Sequence, residues 1–305
     1  MRAEPTGGPM AIMFLNVASV SRGRGGSAVM KAAYIARERL PDARAGVARD
    51  YRHVRGLEHA EILLPADAPP RAGEWARDRA TLWNAAEAAE HRQNARVARE
   101  YTVALPHELS REARHALARE FAQSIADRYG TAVDLAVHGP TPRGDPRNYH
   151  AHILATTREL RADGFGAKTT VELRSDQRRE LGLPHVAQEI RALRAQWAGL
   201  ANEKLLEARV DARLEPRSRA TLAREREAQP GPVPALPAPV IAPAVEPPAP
   251  PAAPQAEERA RSVDAAQRRA VEQWLAYRAG RGPERAATDS RERRRDRGLD
   301  AGPEI

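Results

Sequence analysis

The sequence predicts an α+β domain, a sheet layered with helices, running from about Ala11 to Leu222. Three observations predict it. Apolar, β-leaning runs alternate with segments of helical spacing along this stretch. Aromatic residues make up only 4% of the chain, so the core must be built mainly from aliphatic layers. After about Gln229 the composition changes to proline and alanine, which leaves the earlier stretch as the one substantial globular unit.

The elements follow in order. Residues 1–9 read as a disordered leader, and the patterned sequence begins at Met10. Ala11 to Val20 (AIMFLNVASV) reads as a first strand, and Ser21 to Gly26 (SRGRGG) as a basic glycine-rich turn. Ser27 caps a helix over Ser27 to Leu40. A short strand lies in Leu57 to Pro65, closed by its proline. Asp67 to Arg99 has helical spacing, with Trp75, Leu82 and Trp83 as core anchors. Glu100 to Leu105 reads as a strand stopped by Pro106. Ser110 to Tyr129 reads as a helix with Leu117, Phe121 and Ile125 on one face. Ala132 to His138 and Tyr149 to Thr156 are two strands joined by a Gly/Pro-rich stretch, which suggests antiparallel neighbours. Val171 to Ala208 is expected to be mostly helical. The expected organisation is a leader over 1–9, a domain over 10–222, a Pro/Ala-rich linker over 223–256 and a basic helical or disordered tail over 257–305.

Composition narrows the function classes. The chain has 305 residues, 30% of them charged, and a formal net charge of +8. Its pI is near 10.3 and its mean hydropathy −0.62. No apolar run is long enough to cross a membrane, and residues 1–10 show no signal-peptide pattern, so the expectation is a cytoplasmic protein. With no cysteine there are no disulfides and no thiolate metal ligands. The basic balance suits an anionic partner such as nucleic acid, although an arginine- and alanine-rich composition produces the same excess without one.

Three of the nine histidines form the pattern H-x11-H-x-H. His150 and His152, two apart on an expected strand, face the same side of the sheet. A hairpin would bring His138, at the end of the preceding strand, beside them. Three converging imidazoles can hold a divalent cation and leave positions open for substrate. An H-x-H pair alone is equally at home on an ordinary surface strand. Here apolar Ile153 and Leu154 follow it, and the preceding loop carries Arg143, Arg147 and Asn148, which suit a phosphate. Asp134, four residues before His138, shares its face and is open to two readings, second shell to the histidines or solvated.

A tyrosine can attack phosphorus. Tyr34 follows the basic turn early in a helix, but it is one of five tyrosines in the domain, with Tyr51, Tyr101, Tyr129 and Tyr149. Packing is the commoner use of such a residue, and the residues alone do not choose between them. Glu100 is similarly open. It either pairs with Arg96 or Arg99, or stands beside the histidines to fix a ring or assist the tyrosine proton.

Taken together, three blocks resemble the MobA/MobL family of plasmid-mobilisation relaxases, in the same order over roughly Met10 to Arg217. They are MAIMFLNVASVSRGRGGSAVMKAAYIARERL, LWNAAEAAEHRQNARVAREYTVALPHEL, and DLAVHGPTPRGDPRNYHAHILATTREL followed by GFGAK. The third looks like the family's three-histidine motif and the first like its tyrosine motif. The resemblance implies a central antiparallel five-stranded sheet flanked by helices. It also implies a metal-dependent DNA strand transferase with Tyr34 as nucleophile, His138, His150 and His152 as metal ligands, and Glu100 in support. The implied reaction nicks single-stranded DNA at a transfer origin and leaves a 5′-phosphotyrosyl link, for mobilisation of a plasmid or integrative element. The implied cofactor is Mg²⁺ or Mn²⁺, whereas imidazole ligands by themselves favour Mn²⁺, Zn²⁺, Ni²⁺ or Co²⁺. The implied partners, besides the DNA, are relaxosome accessory proteins and a type IV secretion coupling protein.

Arg22, Arg24, Lys31, Arg143 and Arg147 are the candidates for phosphate contact. Departures from the family pattern are Ile35 after the tyrosine, the long proline-containing loop between His138 and His150, and a loose match at Arg209 to Ser218. Two other readings remain open: a rolling-circle replication initiator or transposase of the same chemistry, and a non-catalytic nucleic-acid-binding module.

Overall fold

The strands at Val133–His138 (Val, Leu, Val facing one way; Asp, Ala, His the other) and Tyr149–Thr156 are flanked on both sides by other strands, so both of their faces must be covered. The fold follows from that need. A computed structural model describes Ala11 and residues 13–215. The expected leader, linker and tail, and the last residues of the expected domain (216–222), lie outside the described residues.

In chain order the structure runs β1 (Leu15–Ser21), α1 (Ala28–Ala36), β2 (Arg39–Asp42), β3 (Val47–Asp50), β4 (Leu57–Leu63), α2 (Ala72–Ala76), α3 (Arg79–Ala88) and β5 (Arg96–Leu105). It continues with α4 (Arg111–Tyr129), β6 (Val133–His138), β7 (Tyr149–Thr156), β8 (Arg158–Arg161), β9 (Gly164–Lys168), α5 (Ser175–Glu180) and α6 (Val186–Glu207). The main sheet is five-stranded in the order β1-β5-β7-β6-β4, antiparallel at every pairing, which is the expected architecture.

Period-2 alternation sorts the central strands into two cores. On one face Tyr101, Val103, Leu135, Val137, Ile153 and Ala155 pack against α4 and α6. Phe121 of α4 meets Trp197 of α6 there, with ring centroids 5.1 Å apart. On the other face Ala98, Ala136 and Leu154 pack against α1, α2 and α3, including Trp75, Leu82 and Trp83. The polar residues of the candidate site lie at the end of this second face.

Several boundaries differ from expectation. The first strand starts at Leu15 rather than Ala11. The segment 67–99 is not one helical stretch. Asp78 accepts from the Thr81 N–H and starts α3 afresh, and the chain enters β5 already at Arg96. A charged start hid that strand, because Arg96 and Arg99 both reach the buried Glu172. The segment 171–208 contains a short 3-10 turn, α5 and α6, with Pro184 separating the two helices. The hairpins β2–β3 and β8–β9 were not expected. Their strands have only four or five residues and little apolar alternation.

Candidate active site and metal centre

Register brings the histidines together. In the β6–β7 pairing His138 lies directly opposite His150, and His152 lies opposite Ala136. All three side chains therefore emerge on one face at the same end of the sheet. Their ring centroids are 5.0 to 5.3 Å apart. One ligand nitrogen from each lies within 4.8 Å of the others.

The hydrogen bonds fix which nitrogen is left over, since a ring N–H must face an acceptor. His152 Nδ1 donates to Glu100 Oε1 at 2.7 Å, and His150 Nδ1 to the Asn148 carbonyl at 3.2 Å. His138 Nε2 donates to the Ile35 carbonyl at 2.7 Å. The remaining lone pairs are Nε2 of His150 and His152 and Nδ1 of His138, the last with an Arg37 Nη 3.4 Å away. Burial, and then the neighbouring rings and cations, hold His138 down to about 2 and His150 to about 4. Burial lowers His152 as well, against the pull of Glu100. Three neutral imidazoles, each backed by a protein acceptor, fit a divalent cation with nitrogen-tolerant chemistry.

The helix α1 carries Tyr34 to this end of the sheet. Ser27 accepts from the Met30 N–H and donates to Asp42, and Glu87 accepts from the Ala28 N–H at 2.7 Å. A capped, alanine-rich helix can bury nearly all round, and eight of its nine residues are buried. Tyr34 is 6% exposed. Its ring meets Tyr51 edge-on at 5.4 Å, with Arg37 over it at 4.4 Å and Lys31 at 5.7 Å.

Glu100, on the neighbouring β5, lies beside the histidines rather than beside Arg96 or Arg99. Its Oε1 also accepts from Lys31 Nζ at 2.9 Å. Burial opposes its charge, but the His152 N–H and the Lys31 ammonium prevail and hold the carboxyl near 2.

Asp134 shares the face with His138 but does not reach the histidines, and it is not solvated. It is fully buried, with Arg79 Nε at 2.8 Å and Trp83 Nε1 at 2.9 Å. It anchors α3 to the sheet.

The five expected phosphate contacts divide. Arg22 is a correction: its side chain is 5% exposed and its guanidinium is bonded to Glu87 and to the Glu90 and Arg92 carbonyls, so it ties the glycine turn to α3. A Cβ on Gly26 in that turn would stand 2.8 Å from the Ser21 carbonyl oxygen, so glycine permits the close fold-back. Lys31 is buried against Glu100 and Tyr34. Arg24 and Arg143 are exposed, and Arg147 is exposed but paired with Asp145 at 2.8 Å. Residues that the sequence did not single out are Arg37 and the carbonyls of Ile35 and Asn148, and Tyr51 stood there only among the alternative tyrosines. Arg37 carried only one local signal, its place just beyond the alanine-rich helix.

Residues 26–231 match the model of the MobA/MobL family. The chain is 34% identical over 239 residues to "Mobilization protein MobL" of Acidithiobacillus ferridurans, an alignment covering 72% of this chain and 61% of that one. It is 37% identical over 177 residues to "Conjugal transfer protein TraA" of Agrobacterium fabrum (strain C58 / ATCC 33970), covering 55% of this chain and 15% of that one. The chain thus spans about three fifths of the MobL relative and a small part of TraA. A solved structure reported as "Molecular Basis of Vancomycin Resistance Transfer in Staphylococcus aureus" superposes with a TM-score of 0.54 at 29% identity, over 68% of this chain and 99% of that one. With the matched region spanning both the tyrosine helix and the histidine hairpin, the chain belongs to the MobA/MobL family.

Proposed function

We propose that this chain is a site- and strand-specific DNA relaxase that nicks a transfer origin for conjugative mobilisation of a plasmid or integrative element. The observation that carries the reading is the convergence of His138, His150 and His152 on the end of the helix that bears Tyr34, in a MobA/MobL chain. The mobilisation and conjugal-transfer relatives support it.

Tyr34 Oη attacks one phosphodiester phosphorus. The bond to the 3′ oxygen breaks, the tyrosine proton is in balance passed to that oxygen, and the 5′ phosphate remains on Tyr34. The reverse attack by the 3′-hydroxyl reseals the strand. Deprotonating a tyrosine of ordinary pKa at pH 7 costs about 4 kcal/mol, which the site must offset. A divalent cation, Mg²⁺ or Mn²⁺ in this proposal, would be held by the three histidines and would supply charge stabilisation for the phosphoryl transfer. Glu100 acts by orienting His152 and neutralising Lys31. A carboxylate held near 2 is a weak base at neutral pH, so we do not assign it the tyrosine proton. We infer that Arg24, Arg143 and Arg147 contact DNA phosphates, a reading supported by their exposure and by the charge of their side chains.

In this reading the nicking domain spans 10–222, followed by a linker (223–256) and a tail (257–305). The protein acts in the bacterial cytoplasm, with relaxosome accessory proteins and a type IV coupling protein as partners. Among the described residues no helix is long and apolar enough to cross a membrane.

The test is a supercoiled plasmid carrying the DNA that flanks the gene, incubated with the chain and Mn²⁺ or Mg²⁺ and then treated with detergent and protease. The expected outcome is a nicked circle with wild type and none with Tyr34→Phe. Nicking that survives in Tyr34→Phe sinks the nucleophile assignment. Salt-sensitive binding without cleavage in any metal favours a non-catalytic module. Cleavage at a replication origin or element end instead favours an initiator or transposase.

A further inference from the structure

Arg37 closes α1 in the left-handed region, at φ 55°. Glycine adopts that conformation freely, whereas a long side chain is strained in it, and such strain clusters where a site demands it. Its guanidinium is the link between the tyrosine and the histidines. One Nη donates to the Tyr34 carbonyl at 2.7 Å, and Cζ lies 4.4 Å from the Tyr34 ring centroid. The other Nη is 3.4 Å from His138 Nδ1, and Nε is buried without a partner.

Among the described residues this charge has no counter-ion. The other cations packed on this face are matched: Lys31 by Glu100, Arg22 by Glu87, Arg79 by Asp134. Among the described residues no carboxylate lies within ion-pair distance of Arg37. A half-buried guanidinium among neutral imidazoles, with one N–H unsatisfied, is built to receive an anion. Its planar fork matches two oxygens of a phosphodiester.

We propose that Arg37 is a phosphodiester-binding residue that holds the scissile phosphate between Tyr34 and the histidines. The proposal rests on the relaxase reading for which phosphate is held, but phosphate binding is measurable without nicking.

The experiment uses the full chain and three forms: wild type, Arg37→Gly and Arg37→Lys. Glycine removes the charge and relaxes the backbone, so its melting temperature should not fall. Binding of a labelled dT20 oligonucleotide is followed by anisotropy across a salt series. Loss of one phosphate contact on single-stranded DNA should flatten the log-log salt slope by about 0.7 in Arg37→Gly, while Arg37→Lys keeps the wild-type slope. On a plasmid that wild type nicks, Arg37→Lys should be slower by about tenfold, because a point charge lacks the fork. An unchanged slope in Arg37→Gly overturns the proposal, whatever happens to nicking. A wild-type chain that nicks no DNA sinks the relaxase reading and leaves the slope result to stand or fall alone.

Discussion

Burial alone would push the Glu100 carboxyl toward neutrality, yet the His152 N–H and the Lys31 ammonium hold it ionised. In the proposed reading it sets the His152 tautomer and ring angle, as an outer partner tunes a metal ligand. Glu100→Ala should weaken Mn²⁺ binding by about 10- to 100-fold in calorimetry, with Glu100→Gln recovering part of the loss. Equal affinity in Glu100→Ala would contradict that role. At this scale the sequence was unevenly legible. Two histidines spaced by one residue must share a face of a strand, so the pair followed from geometry, and His138 joined it through the expected hairpin. Tyr34 did not, because its neighbours Tyr51, Lys31 and Arg37 come together only through the α1 helix and the β2–β3 hairpin. Arg37 was hidden because nothing in the string marks a left-handed arginine.

At the scale of elements, the site depends on how α1 and α3 are fastened to the sheet. The β8–β9 hairpin is fastened through Glu90, just beyond α3, which accepts from Arg158 Nε at 2.7 Å and pairs with Lys168 Nζ at 2.8 Å. Burial opposes the Glu90 charge, but the Lys168 and Arg158 contacts outweigh it and lower its pKa. A carboxyl lowered on folding stabilises the native state above the ordinary carboxylate range, and that contribution fades as pH falls through the lowered value. Glu90→Gln should therefore cost on the order of 2 kcal/mol at pH 7, between an exposed and a fully buried pair. Denaturation midpoints of the two forms should converge as pH drops below about 4. A gap independent of pH would show that the charge is not the cause. Such hairpins were invisible in the sequence because their cohesion comes from ion pairs and short ladders rather than apolar periodicity. The long helix α4 was legible, because Leu117, Phe121 and Ile125 recur at helical spacing and are all fully buried.

For the whole molecule, one sheet serves two cores, and neighbouring residues of a strand belong to opposite ones. Leu135 packs toward α4 and α6, while Ala136 packs toward α1. Loss of either core should therefore unfold both. Trp197→Ala and Trp83→Ala should each cost about 3–5 kcal/mol and still give a single unfolding transition. Two separated transitions would contradict a shared sheet. The expected five-stranded antiparallel order is what places His138 opposite His150 and Glu100 one strand away. In the proposed reaction Tyr34, at the end of this sheet, takes up the cleaved strand. The most direct measurement is peptide mass mapping after reaction of the full chain with single-stranded DNA from the region it nicks, in Mn²⁺. A 5′-phosphonucleotide adduct on Tyr34, absent from Tyr34→Phe, is the predicted result. An adduct on Tyr51 or Tyr149, or cleaved DNA with no adduct at all, would contradict it.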